Sequence, residues 1–428
     1  MADEWPKKPL CDLTESDTPV TYGVVKPGDE DTDGVLFIRG GDIADWHVLS
    51  GQLRTISQEI SRQYKRTLLR GGEIVMSLVG NPGQVAIVPE SLRGANIARQ
   101  TALIRLRPDV DTRFVMYFLG SRAGQEALVA HSRGSVQQVI NLRELKTVGI
   151  PTPPLSEQRA IANILGTLDD KIVLNRQMNE TLEAMALALF KSWFVDFDPV
   201  RDKAEGRDTG LPKTIADLFP DTFEESVLGK IPRGWPARPL KEFLKEVNER
   251  VGGSDVIEYS STNNGLQLRS ERFTKKLSVS NANNKVVRKG CMVFGLSRRV
   301  LNFGLMRDEI GSVSPAYRVL AVDHSSIAPD FLERMMRIRS AYFYGAVSAS
   351  SREGQSVSLD ALGQLRIVQP SNVVQDAYYH WTETLHIRAR ALDRETSTLA
   401  ALRDTLLPKL ISGELRIKDA ERFIGKGA

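Results

Sequence analysis

The residue types that most often carry catalysis are scattered along this 428-residue chain. Its five histidines and two cysteines lack the spacings by which such residues bind metals. The sequence has no Gly-x-x-x-x-Gly-Lys-Ser/Thr loop to cradle phosphates and no glycine-rich dinucleotide-binding turn. Residues 81–83 are a turn rather than the Asn-Pro-Pro-aromatic segment of an amino-methyltransferase. Asp169 and Asp170 are adjacent carboxylates that we expect on a solvated helix face. The sequence therefore predicts a binding protein with no catalytic residue, metal or cofactor of its own.

Basic, amide and hydroxyl side chains cluster in segments that read as loops. These residue types hydrogen-bond to the base edges of nucleic acids, whereas phosphates need only positive charge or backbone amides. Residues 133–138 and 351–355 are the strongest candidates, because similar Gly/Ser/Gln/Arg loops recur before Leu142 and Leu359. For each residue, an ordinary solvated surface position is the alternative. The candidate DNA-contacting residues are Arg62, Gln63, Lys65, Arg66, Asn96, Arg99, Gln100, Arg133, Ser135, Gln137 and Gln138 in the first half, and Asn263, Asn264, Arg269, Lys275, Lys276, Asn283, Asn284, Lys285, Ser297, Arg298, Arg299, Ser351, Arg352 and Gln355 in the second.

An internal repeat divides these candidates into two sets. The segment WPKKPL at Trp5 returns as WPARPL at Trp235, and Gln138 corresponds to Gln355 further along. The offset between the copies drifts from one pair to the other, as loop insertions would make it. Two copies are too few for a solenoid, so we predict a pseudo-twofold molecule with two similar globular units. Duplex DNA is a partner that repeats in the same way.

Each copy reads as a compact α/β domain with a twisted sheet. Short apolar runs bounded by glycine and proline predict strands, and longer periodic segments predict helices. The predicted strands are residues 73–79 and 101–106 in the first copy and 286–296 and 317–322 in the second, and the predicted helices are residues 113–128 and 329–344.

A long apolar stripe with alternating four- and three-residue spacing follows each domain. We expect Ser156 to cap the first helix and Glu157 to complement its dipole. The stripe spans about 40 residues, or about 60 Å of helix, and a seven-residue period of this length is typical of a coiled coil. The predicted seam comprises Ile161, Leu165, Leu168, Ile172, Leu182, Leu189 and Trp193 in the first helix, and Leu385, Leu392, Leu399, Leu406 and Leu410 in the second.

Two asparagines interrupt the first stripe near its middle. Asn175 and Asn179 either lie in the seam, where a buried amide would fix the helix register, or point outwards with Leu174 and Met178 in their places. The second helix is expected to bend at Pro408 and to end at Gly413. Because the chain returns through the second domain before forming this helix, we expect an antiparallel pair that acts as a spacer of nearly fixed length.

Charge is distributed unevenly along the chain. Residues 51–154 carry 14 Lys and Arg against 7 Asp and Glu, and residues 235–370 carry 20 against 13. Residues 155–234 are acidic, with 10 against 14. A basic block in each copy suits a polyanionic partner, although an ordinary solvated surface is the alternative. We interpret residues 198–234 as a polar linker with one amphipathic turn at 215–219.

The bulk composition argues against a membrane or secreted protein. No apolar run approaches the roughly 18 residues that cross a bilayer, and the start of the sequence lacks the features of a signal peptide. Two cysteines, Cys11 and Cys291, fit a reducing compartment. We expect a cytoplasmic location.

Four segments carry a resemblance to a known family. They are PTPPLSEQR at residues 151–159, FKSWFVDF at 190–197, GKIPRGW at 229–235 and LLPKLISGEL at 406–415. With the internal repeat, they make the chain similar over nearly its whole length to the specificity subunit of type I restriction–modification systems. The start of the second helix departs from the pattern, because NVVQ at 372–375 stands where LSEQ stands at 155–158.

The resemblance implies two target recognition domains of α/β fold separated by two long antiparallel coiled-coil helices. Each domain would read one half of a bipartite double-stranded DNA site in the major groove, and the helices would set the gap and dock two modification subunits. Those partners would bring S-adenosylmethionine, and restriction (motor–nuclease) subunits would bring ATP and Mg. The implied division is 1–153 first recognition domain, 154–197 first spacer helix, 198–234 linker, 235–371 second recognition domain, 372–412 second spacer helix and 413–428 C-terminal tail.

Two other hypotheses come from different classes of protein. The chain could be a non-catalytic structural adaptor whose two lobes bind protein and whose basic blocks are incidental. It could also be a methyltransferase–nuclease fused to its own recognition module, but the missing motifs and the short length argue against this. A salt titration separates the first alternative from DNA recognition, because binding to DNA weakens steeply as salt rises.

Overall fold

The structure is a computed structural model that describes residues 5–17, 20–129, 139–252, 256–272, 282–296, 300–349, 355–415 and 417. The chain forms two units. Unit 1 consists of Met1–Gln177 with Leu392–Ala428, and unit 2 consists of Met178–Ala391. Each unit therefore combines one α/β domain with a part of each long helix.

The α/β domain of unit 1 is built from short strands and helices. The strands are β1 (Lys7–Pro9), β2 (Thr21–Tyr22), β3 (Val35–Ile38), β4 (Ile43–Ala44), β5 (His47–Val48), β6 (Arg54–Ile56), β7 (Ile74–Ser77), β8 (Val85–Ile87), β9 (Asn96–Ile97), β10 (Thr101–Ile104) and β11 (Gly149–Pro151). The helices are α1 (Gln58–Gln63), α2 (Thr112–Gly120), α3 (Arg122–Val129), α4 (Leu142–Thr147) and the first part of α5 (Leu155–Phe194).

Among the described residues, the domain of unit 1 has two sheets of more than two strands. An antiparallel sheet has the order β2-β10-β7-β8, and a smaller sheet has the order β6-β3-β9 with β3 and β9 parallel. Side chains alternate between the faces of a strand, so Ile74 and Met76 of β7 join a core with Phe114 of α2. Val75 lies between them in sequence and joins a second core with Ile97. The larger sheet is therefore covered on both faces.

Unit 2 repeats this arrangement. Its strands are β12 (Phe223–Ser226), β13 (Gly229–Pro232), β14 (Ala237–Pro239), β15 (Leu244–Glu246), β16 (Glu258–Thr262), β17 (Gly265–Leu268), β18 (Lys285–Arg288), β19 (Cys291–Phe294), β20 (Phe303–Leu305), β21 (Ile310–Val313), β22 (Arg318–Val322), β23 (Val347–Ala349), β24 (Gln355–Val357) and β25 (Arg366–Val368). Its helices are α6 (Asp198–Ala204), α7 (Lys213–Ala216), α8 (Arg269–Arg272), α9 (Pro329–Ile338), α10 (Ser340–Tyr344), α11 (Leu359–Gln364) and the first part of α12 (Asn372–Ser412).

The sheet topology of unit 2 matches that of unit 1 except for one additional strand, β18, in the second sheet. The order β15-β22-β19-β20 corresponds to β2-β10-β7-β8, and a second sheet, β17-β16-β21-β18, again contains one parallel pair, β16 with β21. In both units the first and last strands of the domain pair, β1 with β11 and β14 with β25. The internal repeat predicted from the sequence therefore extends to the order and direction of the strands.

Three of the predicted elements are broken where the sequence pattern is continuous. The helix predicted over 113–128 is two helices, because Ser121 adopts extended backbone angles between α2 and α3. The helix predicted over 329–344 is α9 and α10. The strand predicted over 286–296 is β18 and β19, separated by a turn in which Gly290 has φ +81°. Such breaks depend on single residues, to which a periodic pattern is insensitive.

The predicted polar linker is a folded segment of unit 2. It contains α6, α7 and the antiparallel hairpin of β12 and β13. Its few apolar residues, among them Phe219 and Ile231, are buried in the same core as Trp193 and Trp235. The linker interpretation was wrong because a polar composition does not exclude a small number of well-buried apolar contacts.

The long helices α5 and α12 span 40 and 41 residues. In unit 1, Asp169 bonds to Arg403 and Asn175 bonds to Glu395, so residue numbers rise along one helix as they fall along the other. The helices are therefore antiparallel there, as predicted. In unit 2, Tyr378 packs against α5, where its hydroxyl donates to the carbonyl oxygen of Ala186 at 2.7 Å. None of the described helices is long and apolar enough to cross a membrane.

The predicted seam residues are all buried or half-buried. Leu182, Leu189, Leu385 and Leu399 are the half-buried ones, and the others are buried. Asn175 is fully buried, whereas Leu174 is 49% exposed, which corresponds to the arrangement with the amide in the seam. The helix begins at Leu155, so Ser156 lies in the first turn and is not the cap. Gly413, with φ +76°, follows the end of α12.

Candidate nucleic-acid interface

Several exposed basic residues of unit 1 lie on a short helix and the turn after it. Ser57 caps α1, with its hydroxyl accepting from the backbone N–H of Ile60 at 3.3 Å. A 3-10 turn, Lys65–Thr67, follows the helix after one residue, Tyr64. Residues 62–66, which we call the basic turn, include the candidates Arg62, Gln63, Lys65 and Arg66, and all four are exposed.

Asn96 supports the basic turn through hydrogen bonds from the interior of the domain. It is fully buried in β9. Its Oδ1 accepts from the Thr67 hydroxyl at 2.6 Å, and its Nδ2 donates to Ser61 Oγ and to the carbonyl oxygen of Tyr64, both at 3.4 Å. The candidate DNA contact at Asn96 was wrong, because its amide is used inside the fold. Its position between Ala95 and Ile97, in an apolar run, was the signal that could have revealed this.

Arg105 is a second buried support of the same turn, and the sequence analysis missed it. Its guanidinium donates to the carbonyl oxygens of Arg66 at 3.1 Å and Leu68 at 2.6 Å. It also lies 3.4 Å from the carboxylate of Glu73, and both side chains are more than nine-tenths buried. A charge is tolerated in such a place only when it is paired and hydrogen-bonded. An arginine within the apolar strand run of residues 102–106 was the available signal.

The remaining described candidates of unit 1 follow β9. Arg99 and Gln100 are exposed, and the backbone N–H of Arg99 donates to the carbonyl oxygen of Val24 at 2.9 Å. Arg99 is three residues from Asn96, so their Cα atoms are within about 11 Å by chain length alone. Because Asn96 binds the basic turn, the structure brings both exposed segments into one part of the domain.

In unit 2, exposed amides lie at the tip of a hairpin. Asn263 and Asn264 join β16 to β17 as a two-residue turn, and both are exposed. Gly265 follows with φ +109°, a backbone angle that favours glycine. The carbonyl oxygen of Asn263 accepts from Arg337 at 3.3 Å. Asn283 is also exposed, with its carbonyl oxygen accepting from Arg250 at 2.7 Å.

Two candidates of unit 2, Asn284 and Lys285, are buried, and a third, Arg269, is half-buried; all three side chains are used within the fold. Asn284 donates to one oxygen of Glu258 at 3.2 Å, and Arg269 pairs with the other at 3.3 Å. Lys285 is 4% exposed and its ammonium donates to the carbonyl oxygen of Tyr317 at 2.8 Å. Burial lowers the pKa of Lys285. These predictions were wrong because the side chains tie β16, β18 and the neighbouring segments together.

The other candidates are not described by the structure. Gln355 belongs to β24, but its side chain is outside the described part. For these residues DNA contact stays a prediction. The candidates outside the described residues are Arg133, Ser135, Gln137, Gln138, Lys275, Lys276, Ser297, Arg298, Arg299, Ser351 and Arg352.

The paired carboxylates of α5 have different environments. Asp170 is exposed, as expected, and pairs with Arg113 at 3.2 Å. Asp169 is 5% exposed and bonds to Tyr117 and Arg403. The solvated position predicted for Asp169 was wrong, because the second helix and α2 cover it. Among the described residues, no group of three or more His, Cys, Asp or Glu is placed to hold a metal ion.

Several known proteins are similar to this chain in sequence or in structure. Residues 3–184 match the family described as the type I restriction modification DNA specificity domain. The EcoBI specificity subunit of Escherichia coli is 36% identical over 38% of this chain and 34% of its own length. The HindI specificity subunit of Haemophilus influenzae is 24% identical over 89% of this chain and 94% of its own. The crystal structure of the type I restriction–modification S subunit from M. genitalium covers 96% of this chain and 97% of its own, with 16% identity and a TM-score of 0.48.

Proposed function

We propose that the chain is a specificity subunit of a type I restriction–modification system, on the support of its matches to that family, and that each of its two units reads one half of a bipartite DNA site. The chain is the non-catalytic DNA-recognition subunit of such a complex. In our proposal, methylation and cleavage are carried out by partner subunits. The family assignment favours this function over the protein-binding adaptor.

The observation that carries the proposal is the duplicated domain. The strand order and the parallel pair recur in both units, and each copy contributes a basic block of sequence. Two similar domains can read two separate half-sites, which are about 34–36 Å apart when they are one turn of B-DNA apart. A protein that reads one uninterrupted DNA site with one domain would not need a second copy of that domain.

In unit 1, the basic turn is the proposed contact with DNA. Its exposed side chains are of the types that contact phosphates and purine edges. Asn96 and Arg105 hold the basic turn and its flanking residues through five hydrogen bonds, three to backbone carbonyl oxygens and two to side-chain hydroxyls. Supports of this kind let exposed residues meet DNA in a defined geometry, because the turn does not have to be ordered on binding.

The long helices have a separate proposed role. They set the gap between the half-sites and dock two modification subunits, which bind S-adenosylmethionine, while restriction subunits use ATP and Mg. Support comes from the buried and half-buried seam within each unit, which uses both helices.

Mapping modified bases in the host genome, with and without this gene, tests the proposed function. We expect one bipartite methylated motif that disappears when the gene is deleted. An unchanged set of methylated motifs would refute the assignment. The motif obtained in this way also supplies the DNA probe for the binding experiments.

A salt titration of the complex with its modification subunits tests the basic turn. We compare the wild type with Arg62→Ala, Lys65→Ala and Arg66→Ala. Lys213→Ala is the matched control, because Lys213 is an exposed lysine of α7 in unit 2. Each lost phosphate contact should reduce the slope of log affinity against log salt by about 0.9. If all three variants keep the wild-type slope, the basic turn does not contact phosphate.

Insertions and deletions in α5 test the proposed spacer. Changes in length between Leu168 and Leu182, made with matched changes in α12, should alter the tolerated gap while leaving each half-site sequence unchanged. An unaltered gap in a folded variant would contradict the spacer role. Altered half-site sequences would show instead that the helices contribute to base recognition.

A further inference from the structure

A cluster of side chains around the buried carboxylate of Asp169 joins the α/β domain of unit 1 to both long helices. Asp169 of α5 accepts from the Tyr117 hydroxyl of α2 at 2.6 Å and from the guanidinium of Arg403 in α12 at 2.7 Å. The ring of Trp46 lies 5.4 Å from the Tyr117 ring, and the Arg403 guanidinium is 5.8 Å from the Trp46 ring. We call Trp46, Tyr117, Asp169 and Arg403 the orienting cluster. It brings together four elements of one unit.

The hairpin that carries Trp46 is held in an unfavourable backbone conformation. Asp45 and Trp46 have φ values of +48° and +70°, a region that residues other than glycine rarely adopt. The Trp46 ring packs so closely against Gly120 that a Cβ atom there would lie 2.3 Å from it. Such conformations persist where the surroundings enforce them, and they concentrate at functional positions.

Unit 2 has a different pair at the equivalent positions. Tyr117 and Asp169 are 52 residues apart, and Arg334 and His386 are separated by the same number and lie 3.2 Å apart. The helix-start bonds Gln158 to Asp111 and Gln375 to Ala328 also share a separation of 47 residues. The two units therefore make the equivalent contact between domain and helix with different side chains. Substitutions can alter this contact in one unit at a time.

We propose that Asp169 is a positioning residue that fixes the orientation of the first α/β domain on its helix pair, and thereby the accuracy with which that domain reads its half-site. This inference rests on the proposed function. Two hydrogen bonds from different elements converge on one buried carboxylate, which defines direction as well as distance. An apolar contact of the same size would bury the same surface but tolerate sliding and rotation.

Energetics separates positioning from stability at this site. Replacing a buried ion pair by well-packed apolar side chains often leaves a protein as stable as before, because the cost of desolvating both charges is removed together. The double variant Asp169→Leu/Arg403→Met should therefore fold while losing the directional bonds. Its matched control is Asp170→Leu/Arg113→Met, an exposed pair between α5 and α2, the two elements that the bond of Tyr117 to Asp169 joins.

The experiment uses the complex with modification subunits. It compares the affinity for the wild-type DNA site with the affinity for sites that carry one base change in either half-site. For Asp169→Leu/Arg403→Met we expect discrimination to fall about tenfold at one half-site, equivalent to about 1.4 kcal/mol, with the other half-site within twofold. The unit 2 counterpart, Arg334→Met/His386→Leu, should affect the opposite half-site. The control double variant should change neither.

Several outcomes would overturn the inference. Unchanged discrimination in a folded Asp169→Leu/Arg403→Met variant, or an equal loss at both half-sites, would show that the cluster only stabilises. If that variant does not fold, Tyr117→Phe serves instead, because it removes one of the two hydrogen bonds at nearly constant volume. If Tyr117→Phe then lowers discrimination by less than about twofold at both half-sites, positioning is refuted. A wild-type complex that discriminates at neither half-site would overturn the proposed function itself, and this inference with it.

Discussion

The buried pair of Arg105 and Glu73 allows the support of the basic turn to be tested quantitatively. The change is Arg105→Met, which keeps most of the side-chain volume but removes the guanidinium. Three contacts are lost, to the carbonyl oxygens of Arg66 and Leu68 and to the Glu73 carboxylate. The Glu73 side chain is only 4% exposed, and one of its oxygens has no hydrogen-bond partner among the described residues. Arg105→Met would therefore leave a buried carboxylate without its cation.

The magnitude follows from these contacts. Removing one partner of a buried ion pair typically destabilises a protein by about 3–5 kcal/mol, a large part of a total that is about 5–15 kcal/mol for a domain. Glu73→Gln in the same chain removes the stranded charge and keeps an oxygen that can accept from the backbone N–H of Arg70. The double variant should then lose only about 1–3 kcal/mol, for the two carbonyl oxygens left without donors.

Hydrogen–deuterium exchange in urea, read by peptide, measures the two units separately. Unit 1 should lose the stated free energy of unfolding in Arg105→Met, while unit 2 stays within about 0.5 kcal/mol of the wild type. Arg70→Met is the control, because Arg70 pairs with Glu15 at the surface and such pairs contribute about 0–1 kcal/mol. A loss below about 1 kcal/mol in Arg105→Met, or no recovery in the double variant, would refute the reasoning.

Three further predictions concern the helices. Phe190→Ala should destabilise unit 2 by about 3–5 kcal/mol, because Phe190 is fully buried against Phe194 and Phe331. The control Leu187→Ala, at a 42% exposed position, should change the free energy of unfolding by less than about 1 kcal/mol. Equal losses in the two variants would contradict the packing. Burial, together with Arg334, holds the pKa of His386 below its ordinary value near 6.5. The unfolded chain therefore binds the proton first as pH falls, and unit 2 should lose stability below about pH 6.5. The free energy of unfolding should depend less on pH in His386→Gln, and identical pH profiles would rule out this linkage. Asn175→Leu should stabilise unit 1 by about 1 kcal/mol in denaturant titration, since one amide oxygen has no hydrogen-bond partner among the described residues; a destabilised variant would indicate that the bond to Glu395 outweighs this cost.

The large-scale organisation of the protein could be predicted from the sequence. The repeat of the Trp5 segment at Trp235, and the seven-residue period after each copy, are patterns along the chain that need no knowledge of distant contacts. They correctly predicted two similar α/β domains and a pair of antiparallel helices. Breaks within the elements, such as Ser121 between α2 and α3, were missed because one residue hardly changes a periodic signal.

The candidate site could be predicted only in part. Residue type alone predicted Arg62, Lys65 and Arg66 as candidates, and the structure leaves them exposed. The same rule also selected Asn96 and Lys285, which are buried and hydrogen-bonded. It overlooked Arg105, which holds the turn in place from within the sheet. A polar side chain has the same chemistry in both settings, and burial decides which role it takes.

What the sequence determined by itself is therefore the repeat, the helical period and the polar residue types available for a contact with DNA. Only the tertiary structure decided which polar residues face solvent and which hold the fold together. The physical reason is the distance along the chain between the partners: Asn96 meets Thr67 across 29 residues, and Asp169 meets Arg403 across 234. Periodicity is a local property of the chain, whereas burial of a polar group depends on everything that packs around it.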